Sequence, residues 1–293
     1  MVYHSIMDTA AILKNFHPSR IKAVAIDLDG TTLRPDSTMG DRTIAALRSC
    51  LERGIQVIIA SGRSPVAAEQ FRKAIGAEGP MVFYNGAAVI DAPSGAIRAS
   101  TLLKRNISLF CAETGRDMDV HFHAFLPGDR LVYAKDRAES ATYAQRTGLR
   151  GDVVDLVDLF SPHGSAASGC IKGMFIAEPA VLDRVQARLD AAYGDLVYRA
   201  RSHATFLEVM AAGVSKGRAL ETALELRGLK GEDILVFGDA ENDLPMFGLT
   251  RYSAAPANAE DRIRRAALWV VPSNTEEGPA QFLEERILAG SAE

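Results

Sequence analysis

Short apolar runs alternate with amphipathic stretches over the first third of the chain. Val24–Ile26, Ile55–Ala60 and Pro80–Tyr84 are apolar runs of strand length, and each is followed by polar or glycine residues. Between them, Gly40–Gly54 places apolar residues on one face of a helix that ends at Gly54, with Asp41 as its candidate cap. Ser64 and Pro65 open a second helix that runs to about Gly76. Buried strands that alternate with helices are typical of a parallel, doubly wound sheet. The pattern therefore predicts half of a Rossmann-like α/β domain.

The pattern changes between about Ala88 and Met210, where strands follow one another through tight turns. The predicted elements are a hairpin around Ala92–Gly95, strands at Val120–His123, Leu131–Tyr133, Ile171–Ile176, Val197–Ala200 and Thr205–Val209, and helices at Ile107–Arg116, Ser140–Thr147 and Ala180–Ala192. Adjacent strands of this kind, with helices between them, indicate an antiparallel α+β unit. We expect this unit to be inserted between two halves of the parallel sheet.

The alternation of helices and strands resumes after Gly213. Ser215 is a candidate cap for a helix that reaches Leu226, and a buried strand is predicted at Ile234–Phe237. The tail adds strands near Tyr252–Ala254 and at Leu268–Val271, and helices over Asp261–Ala267 and Gly278–Leu288. We therefore expect an N-terminal extension (residues 1–20), a first core half (21–87), an inserted α+β unit (88–210) and a second core half (211–293).

The first predicted strand ends in two carboxylates one residue apart, Asp27 and Asp29. If the strand stays extended, both side chains point to one side, towards the crevice where open α/β sheets bind ligands. Such a pair normally shares a proton or holds a cation. A calcium loop is excluded, because its sixth and twelfth positions require glycine and glutamate, and this chain has Thr32 and Thr38. A solvated acidic turn is the remaining alternative.

Three further polar segments lie at the end of a predicted strand or at the start of a predicted helix. Ser61 and Gly62 follow the second strand, Lys216 begins a helix, and Gly238–Asp243 follows Ile234–Phe237. Taken singly, each has an ordinary interpretation: a turn serine, a solvated lysine and acidic residues that cap a helix. Ser61 is not a serine-hydrolase nucleophile, because no G-x-S-x-G motif surrounds it.

Composition and charge indicate which partners the protein can bind and in which compartment it is expected. The net charge of -4 gives no basic excess for nucleic acid, so a bound anion needs a local site. The 3 cysteines have no metal or disulfide spacing, which favours a reducing compartment. Neither a signal-peptide core nor an apolar run of about 18 residues is present. We therefore expect a cytoplasmic protein with no membrane partner.

Four motifs in order carry a resemblance to a known family: D-x-D-G-T at Asp27–Thr31, S-G-R at Ser61–Arg63, Lys216 at a helix start, and G-D-x-x-N-D at Gly238–Asp243. Together they resemble the haloacid dehalogenase superfamily of phosphotransferases, and more narrowly its Cof-type sugar-phosphatase group. Asn85–Ala87, Gly213–Gly217 and Ala257–Ala259 are also similar to stretches typical of that group. The resemblance extends from about Ile21 to Leu288.

The resemblance implies a role for each of the matching residues. Asp27 would be the nucleophile that accepts the phosphoryl group. Asp29 would protonate the leaving oxygen and later deprotonate the attacking water. The phosphate-binding residues would be Ser61, Gly62, Lys216 and Asn242. Mg²⁺ would be bound by Asp27, the main-chain carbonyl of Asp29, Asp239 and Asp243, the last of these directly or through water. The inserted unit would be the cap that closes over the active site.

Elementary electrostatics supports this choice of residue types. A carboxylate that attacks a phosphate dianion meets a repulsion of about 4 kcal/mol per charge pair at about 4 Å and an effective dielectric near 20, so a cation is needed. Mg²⁺ prefers oxygen ligands and typically uses few carboxylates. A lysine and a serine hydroxyl can stabilise the remaining phosphoryl oxygens.

The sequence therefore predicts a Mg²⁺-dependent phosphatase that acts on small phosphorylated metabolites, with sugar phosphates favoured, as a monomer or homodimer. Two alternatives stay open: a phosphomutase of the same superfamily and a ligand-binding regulator without turnover. A separate hypothesis concerns His121 and His123, which share one face of a predicted strand. They could form a zinc pair, but no third ligand is evident nearby, so substrate contact or an ordinary surface role is favoured.

Overall fold

The computed structural model describes residues 9–289, and their contacts divide the chain into two units. Of the described residues, the first unit comprises those up to Gly62, Ala68–Arg98 and those from Ser215 onward. The second unit comprises Arg63–Ala67 and Ala99–Val214. In sequence, most of the second unit is thus an insertion between two parts of the first.

Helices and strands alternate at both ends of the chain. The N-terminal part contains α1 (Thr9–Lys14), β1 (Ala23–Ile26), α2 (Asp41–Glu52), β2 (Gln56–Ile59), α3 (Pro65–Ile75), β3 (Gly79–Phe83), β4 (Ala88–Ala92) and β5 (Ile97–Ser100). The middle part contains α4 (Arg105–Asp117), β6 (His121–Leu126), β7 (Arg130–Tyr133), α5 (Ala138–Thr147), β8 (Asp152–Val153), α6 (Leu156–Leu159), β9 (Lys172–Ile176), α7 (Pro179–Tyr193), β10 (Val197–His203) and β11 (Phe206–Ala211). The C-terminal part contains α8 (Lys216–Leu226), β12 (Ile234–Phe237), α9 (Leu244–Phe247), β13 (Tyr252–Pro256), α10 (Asp261–Ala266), β14 (Trp269–Val271) and α11 (Gly278–Phe282), followed by a π-helical segment over Leu283–Leu288.

The first unit is built on a five-stranded parallel sheet in the order β14-β13-β12-β1-β2. All four residues of β1 are buried, as expected of a strand inside a sheet that is covered on both faces. Ile26 pairs with Ile59 on one side and with Phe237 on the other, so β1, β2 and β12 end at the same level. The predicted doubly wound α/β core is confirmed, and the segments that follow these three strands emerge at one edge.

A small antiparallel sheet is attached beside β2. One parallel bridge joins Ala60 to Val82 in β3, and β3 pairs antiparallel with β4. The sequence predicts the hairpin around Ala92–Gly95 within the inserted segment. In the structure, pairing with β3 brings β4 and the residues up to Arg98 into the first unit.

The second unit is an α+β layer of its own. Its six strands are ordered β10-β11-β9-β6-β7-β8, and all neighbours are antiparallel except β7 and β8. One face of the sheet contributes Phe122, Phe175 and Val209 to an apolar cluster with Leu189 of α7. Successive side chains alternate across a strand, so the histidines of β6 lie on the opposite face.

The start of α2 differs in detail from its prediction. Asp41 is a candidate cap by sequence, but it is the first helical residue, and Gly40 occupies the cap position. The carboxylate of Glu277 instead accepts a hydrogen bond from the backbone N–H of Thr43 at 2.8 Å. A Cβ on Gly40 would lie 2.1 Å from Oε2 of Glu277, so glycine leaves room for a cap supplied from another part of the chain.

The single tryptophan lies in an aromatic cluster of the first unit. The ring of Trp269 is 5.1 Å from the ring of Phe16 and 5.0 Å from that of Phe282, and it stacks on Tyr252 at 6.3 Å. The predicted extension over residues 1–20 therefore contacts the core at Phe16, while its first eight residues lie outside the described part. Within residues 9–289, none of the helices combines the length and apolarity needed to cross a bilayer.

Candidate active site

A tight turn follows β1 and separates its two carboxylates. Asp27 continues the pairing with β12 through an N–H···O bond to Phe237 at 3.1 Å, and its side chain is buried. The chain then folds back, since the amides of Thr32 and Leu33 both donate to the carbonyl of Leu28. As a result Asp27 faces the interior of the first unit, whereas Asp29 is exposed.

Lys216 joins two of the predicted carboxylates. Its Nζ is 2.6 Å from Oδ1 of Asp27 and 2.7 Å from Oδ1 of Asp243. All three side chains are buried, and Lys216 is only 1% exposed at the first residue of α8. Burial by itself would lower the pKa of Lys216, but Asp243 and Asp27 together raise it above the ordinary value, so the ammonium stays charged.

Asp243 is held in place by the backbone as well as by Lys216. Its Oδ2 accepts hydrogen bonds from the N–H groups of Asp239 and Ala240, both at 3.0 Å. A Cβ on Gly238 would lie 2.5 Å from the Cβ of Asp243, so glycine is needed for this close turn. The segment after β12 therefore brings two acidic side chains beside Asp27.

Asp239 completes a group of three carboxylates. One oxygen each of Asp27, Asp239 and Asp243 lies within 4.8 Å of the others. Thr31 donates its hydroxyl to Oδ1 of Asp239 at 2.6 Å, and a Cβ on Gly30 would lie 2.3 Å from Oδ2. The turn after β1 is thus shaped around Asp239, which belongs to a segment more than 200 residues away.

Burial and neighbouring carboxylates raise the pKa of both Asp27 and Asp239. Burial raises the pKa of Asp27, Lys216 opposes this effect, and the charges of Asp243, Asp239 and Asp29 add to it. For Asp239, burial raises the pKa to about 6, against the hydrogen bond from Thr31 and with repulsion from Asp243. Two buried carboxylates, the half-buried Asp239 and one lysine leave an excess of negative charge. This donor set fits a hard divalent cation, which prefers carboxylate oxygens.

The predicted phosphate-binding residues lie on the neighbouring loops. Ser61 follows β2 and is completely buried, and its carbonyl accepts the N–H of Asn85 at 3.0 Å. Asn242, next to Asp243 in the chain, donates from Nδ2 to Oδ1 of Asn85 at 2.9 Å. The first unit therefore contains all eight predicted site residues, and direct contacts join Asp27, Lys216 and Asp243. Asp29 influences this group electrostatically, because its charge raises the pKa of Asp27.

Two side chains at the site have roles that the sequence did not predict. Asn85 contacts Asn242, although the sequence marks it only as part of a typical stretch. Asn258 donates to the carbonyl of Gly30 at 2.8 Å and accepts the N–H of Asn274 at 2.9 Å, which ties the turn after β1 to the C-terminal segment. The signal for both was their position after a strand, because polar residues at such ends converge in a parallel sheet.

The histidine pair of the second unit is a different kind of cluster. Nε2 of His121 is 3.3 Å from Nδ1 of His123, and both rings are buried. In the described part of the chain, the only group of three or more metal-compatible side chains is Asp27, Asp239 and Asp243. Zinc binding by the two histidines therefore gains no third ligand from the structure.

Comparison with known proteins identifies the family. Residues 24–283 match the family described as haloacid dehalogenase-like hydrolase. The chain belongs to this family. A protein from Haemophilus influenzae is 32% identical over 266 residues, which cover 89% of this chain and 95% of that protein. The 5-amino-6-(5-phospho-D-ribitylamino)uracil phosphatase of Bacillus subtilis is 27% identical, with 92% of this chain and 99% of the relative covered.

A solved structure with the same fold supports this assignment. The crystal structure of TM0651 from Thermotoga maritima aligns with a TM-score of 0.80 and 29% identity, covering 90% of this chain and 97% of that one. The predicted membership of the haloacid dehalogenase superfamily, and the prediction of a phosphatase of that type, are confirmed.

Proposed function

We propose that this haloacid dehalogenase-like phosphatase hydrolyses phosphate monoesters of small molecules with the help of Mg²⁺, through a phosphoryl group carried on Asp27. The observation that supports the proposal best is the contact of Asp27 with Lys216 at 2.6 Å, beside the carboxylates of Asp239 and Asp243. An aspartate that accepts a phosphoryl group requires positive charge beside it, which a metal ion and a lysine can supply together.

The proposed reaction has two in-line steps. In the first, an oxygen of Asp27 forms a bond to phosphorus while the ester P–O bond breaks, and Asp29 gives its proton to the leaving oxygen. In the second, Asp29 takes a proton from water, and the water oxygen bonds to phosphorus as the bond to Asp27 breaks. Inorganic phosphate leaves and both aspartates are regenerated. A single acid-base group thus serves both halves.

The other residues would neutralise and hold the phosphoryl oxygens. Lys216 would supply a buried positive charge, and Ser61, Gly62 and Asn242 would supply neutral hydrogen-bond donors. Mg²⁺, held by Asp27, Asp239, Asp243 and the carbonyl of Asp29, would offset the repulsion between the carboxylates and the phosphate. The acidic group fits such an ion because each of the three carboxylates offers one oxygen, and these oxygens lie within 4.8 Å of one another.

A small polyol or sugar phosphate is the proposed class of substrate. The Bacillus subtilis relative is named for a phosphate ester on a ribityl chain, which supports this choice.

We also propose, from the organisation of the family, that the second unit is the cap domain and selects the leaving group. A phosphomutase would convert a hexose 1-phosphate to its isomer when a bisphosphate activator is present, and would release little phosphate.

The decisive experiment measures phosphate release from p-nitrophenyl phosphate and a panel of sugar and polyol phosphates, with Mg²⁺ and with EDTA. We expect Mg²⁺-dependent release by the wild type and none by Asp27→Asn. Asp41→Asn, an exposed carboxamide substitution at the start of α2, is the matched control and should keep full activity. Activity retained in Asp27→Asn would exclude the proposed nucleophile.

A further inference from the structure

The loop between β3 and β4 has an unusual backbone. Tyr84 and Asn85 have positive φ angles of 54° and 57°, and Gly86 follows with φ 97°. Positive φ is uncommon for residues with a side chain, and asparagine tolerates it better than most. Tyr84 and Asn85 are both buried, so this conformation is not that of a surface turn.

The backbone of this loop contacts two of the segments that carry predicted phosphate ligands. The N–H of Asn85 donates to the carbonyl of Ser61 at 3.0 Å. A Cβ on Gly86 would lie 2.2 Å from the carbonyl oxygen of Ser215 and 2.8 Å from the backbone nitrogen of Lys216. The loop thus lies directly against the start of α8 and the end of β2.

The Asn85 side chain contacts a third such segment. Its Oδ1 accepts a hydrogen bond from Nδ2 of Asn242 at 2.9 Å. A Cβ on Gly62 would lie 2.7 Å from the same Oδ1, so the glycine after Ser61 makes room for the carboxamide. The backbone and side chain of one residue therefore connect segments that are more than 150 positions apart in sequence.

The carboxamide of Asn242 has one other polar atom, Oδ1. It is buried and has no hydrogen-bond partner among residues 9–289. Consequently the hydrogen bond to Asn85 is the contact that sets which way the carboxamide of Asn242 points, with its nitrogen rather than its oxygen towards Asn85. A carboxamide carries two N–H donors on nitrogen, and one of them is used here.

We propose that Asn85 is a positioning residue for Asn242, a proposal that rests on the proposed function of the site. By accepting one N–H, Asn85 fixes the carboxamide so that its second N–H serves a phosphoryl oxygen. Without this contact the group can turn by half a rotation and present its carbonyl oxygen, which repels an anionic ligand. Asn85 itself contributes no atom to the reaction.

A double-mutant cycle tests this coupling. Asn85→Gly removes the carboxamide and permits the positive φ, and Asn242→Ala removes its partner. We expect each single variant to lower kcat/KM by about 10-fold to 100-fold, which corresponds to the loss of one hydrogen bond to a charged group. The double variant should be no worse than Asn242→Ala alone. Losses that multiply would overturn the proposal.

Controls separate positioning from folding and from failure of the proposed function. Ser37→Gly replaces another residue with positive φ in an exposed turn of the same unit and should leave activity unchanged. If Asn85→Gly does not fold, Asn85→Asp takes its place, because aspartate also tolerates a positive φ and keeps an acceptor for Nδ2 of Asn242. Its loss of activity should then be smaller than that of Asn242→Ala, and an equal or larger loss would overturn the proposal.

Titration of inorganic phosphate by calorimetry, in the presence of Mg²⁺, gives a readout without turnover, and the affinity should show the same non-additivity. An inactive wild type would overturn the proposed function, whereas an active wild type with independent losses would overturn only the role of Asn85.

Discussion

Lys216 contacts Oδ1 of Asp27 at 2.6 Å at the point where α8 begins beside the end of β1. Because its second contact is to Asp243, one ammonium group compensates two buried carboxylates. Removing one partner of a buried ion pair is costly, since the remaining charge is left without water or counterion. The lysine therefore has a structural and a proposed catalytic function at once.

Lys216→Met is expected to abolish phosphate release and to lower the free energy of unfolding by about 3–5 kcal/mol in the absence of divalent cations. Urea unfolding followed by circular dichroism gives the second quantity. Lys22→Met is the control, because the exposed Lys22 pairs with the half-buried Asp233 at the surface and its removal should cost no more than about 1 kcal/mol. Equal effects of the two substitutions would contradict the role given to Lys216.

Asp239→Asn should raise the stability of the metal-free protein and weaken its response to Mg²⁺. The substitution removes one charge from a group whose members repel one another, and Asn can still accept the hydroxyl of Thr31. In EDTA at about pH 8 we expect the variant to be more stable than the wild type by on the order of 1 kcal/mol. Mg²⁺ should raise the melting temperature of the wild type and have little effect on the variant. A variant that is destabilised in EDTA would argue against repulsion within the group.

Gly30→Ala tests the close approach of two site segments. The new Cβ would lie 2.3 Å from Oδ2 of Asp239, at φ 80°. Gly54→Ala is the matched control, since Gly54 has φ 77° and no heavy atom within 4 Å of a Cβ. Backbone strain is common to both variants and should cost about 1 kcal/mol. We expect only Gly30→Ala to raise the Mg²⁺ concentration required for half-maximal activity, measured by titration.

The buried histidines predict a loss of stability in acid. Burial lowers the pKa of His121 to about 4, with Glu139 opposing and Arg137 adding to the shift. Burial lowers the pKa of His123 well below its ordinary value, and His121 and Lys172 lower it further. The folded state therefore binds fewer protons than the unfolded state below the unfolded pKa of about 6.5. Stability is complete above that pH and falls as the pH decreases, by up to about 1.4 kcal/mol per pH unit for each histidine.

Urea unfolding at about pH 8 and at about pH 5 measures this slope. His121→Phe combined with His123→Phe should make the pH dependence flatter, because phenylalanine takes up no proton. His163→Phe changes an exposed histidine and should leave the slope as it is. An unchanged slope in the double variant would show that other groups control the acid sensitivity.

Much of the fold could be predicted because its signals are local. The apolar runs before Asp27 and Gly238 are short, continuous and followed by polar residues, which is sufficient to recognise buried parallel strands. Motif order then gave the family and the residues of the candidate site. The contact of Lys216 with both Asp27 and Asp243 follows from that order only once the strands are placed side by side.

What could not be predicted depends on partners distant in sequence. The cap of α2 comes from Glu277, which is more than 230 residues from Thr43, so the local choice of Asp41 could not identify it. No local feature of the hairpin around Ala92–Gly95 shows to which of the two units it belongs. Likewise, the buried ion pair of Lys172 and Glu208, at 3.1 Å, forms between two strands whose pairing only the folded sheet reveals.

The aromatic cluster around Trp269 gives the two units different optical properties. The chain has a single tryptophan, so selectively excited indole emission originates entirely in the first unit. Far-ultraviolet dichroism, by contrast, reports on the helices of both units. Partial denaturation confined to the histidine-bearing unit would therefore change the dichroism before the fluorescence, and the native protein can report the order of its own unfolding without an attached dye.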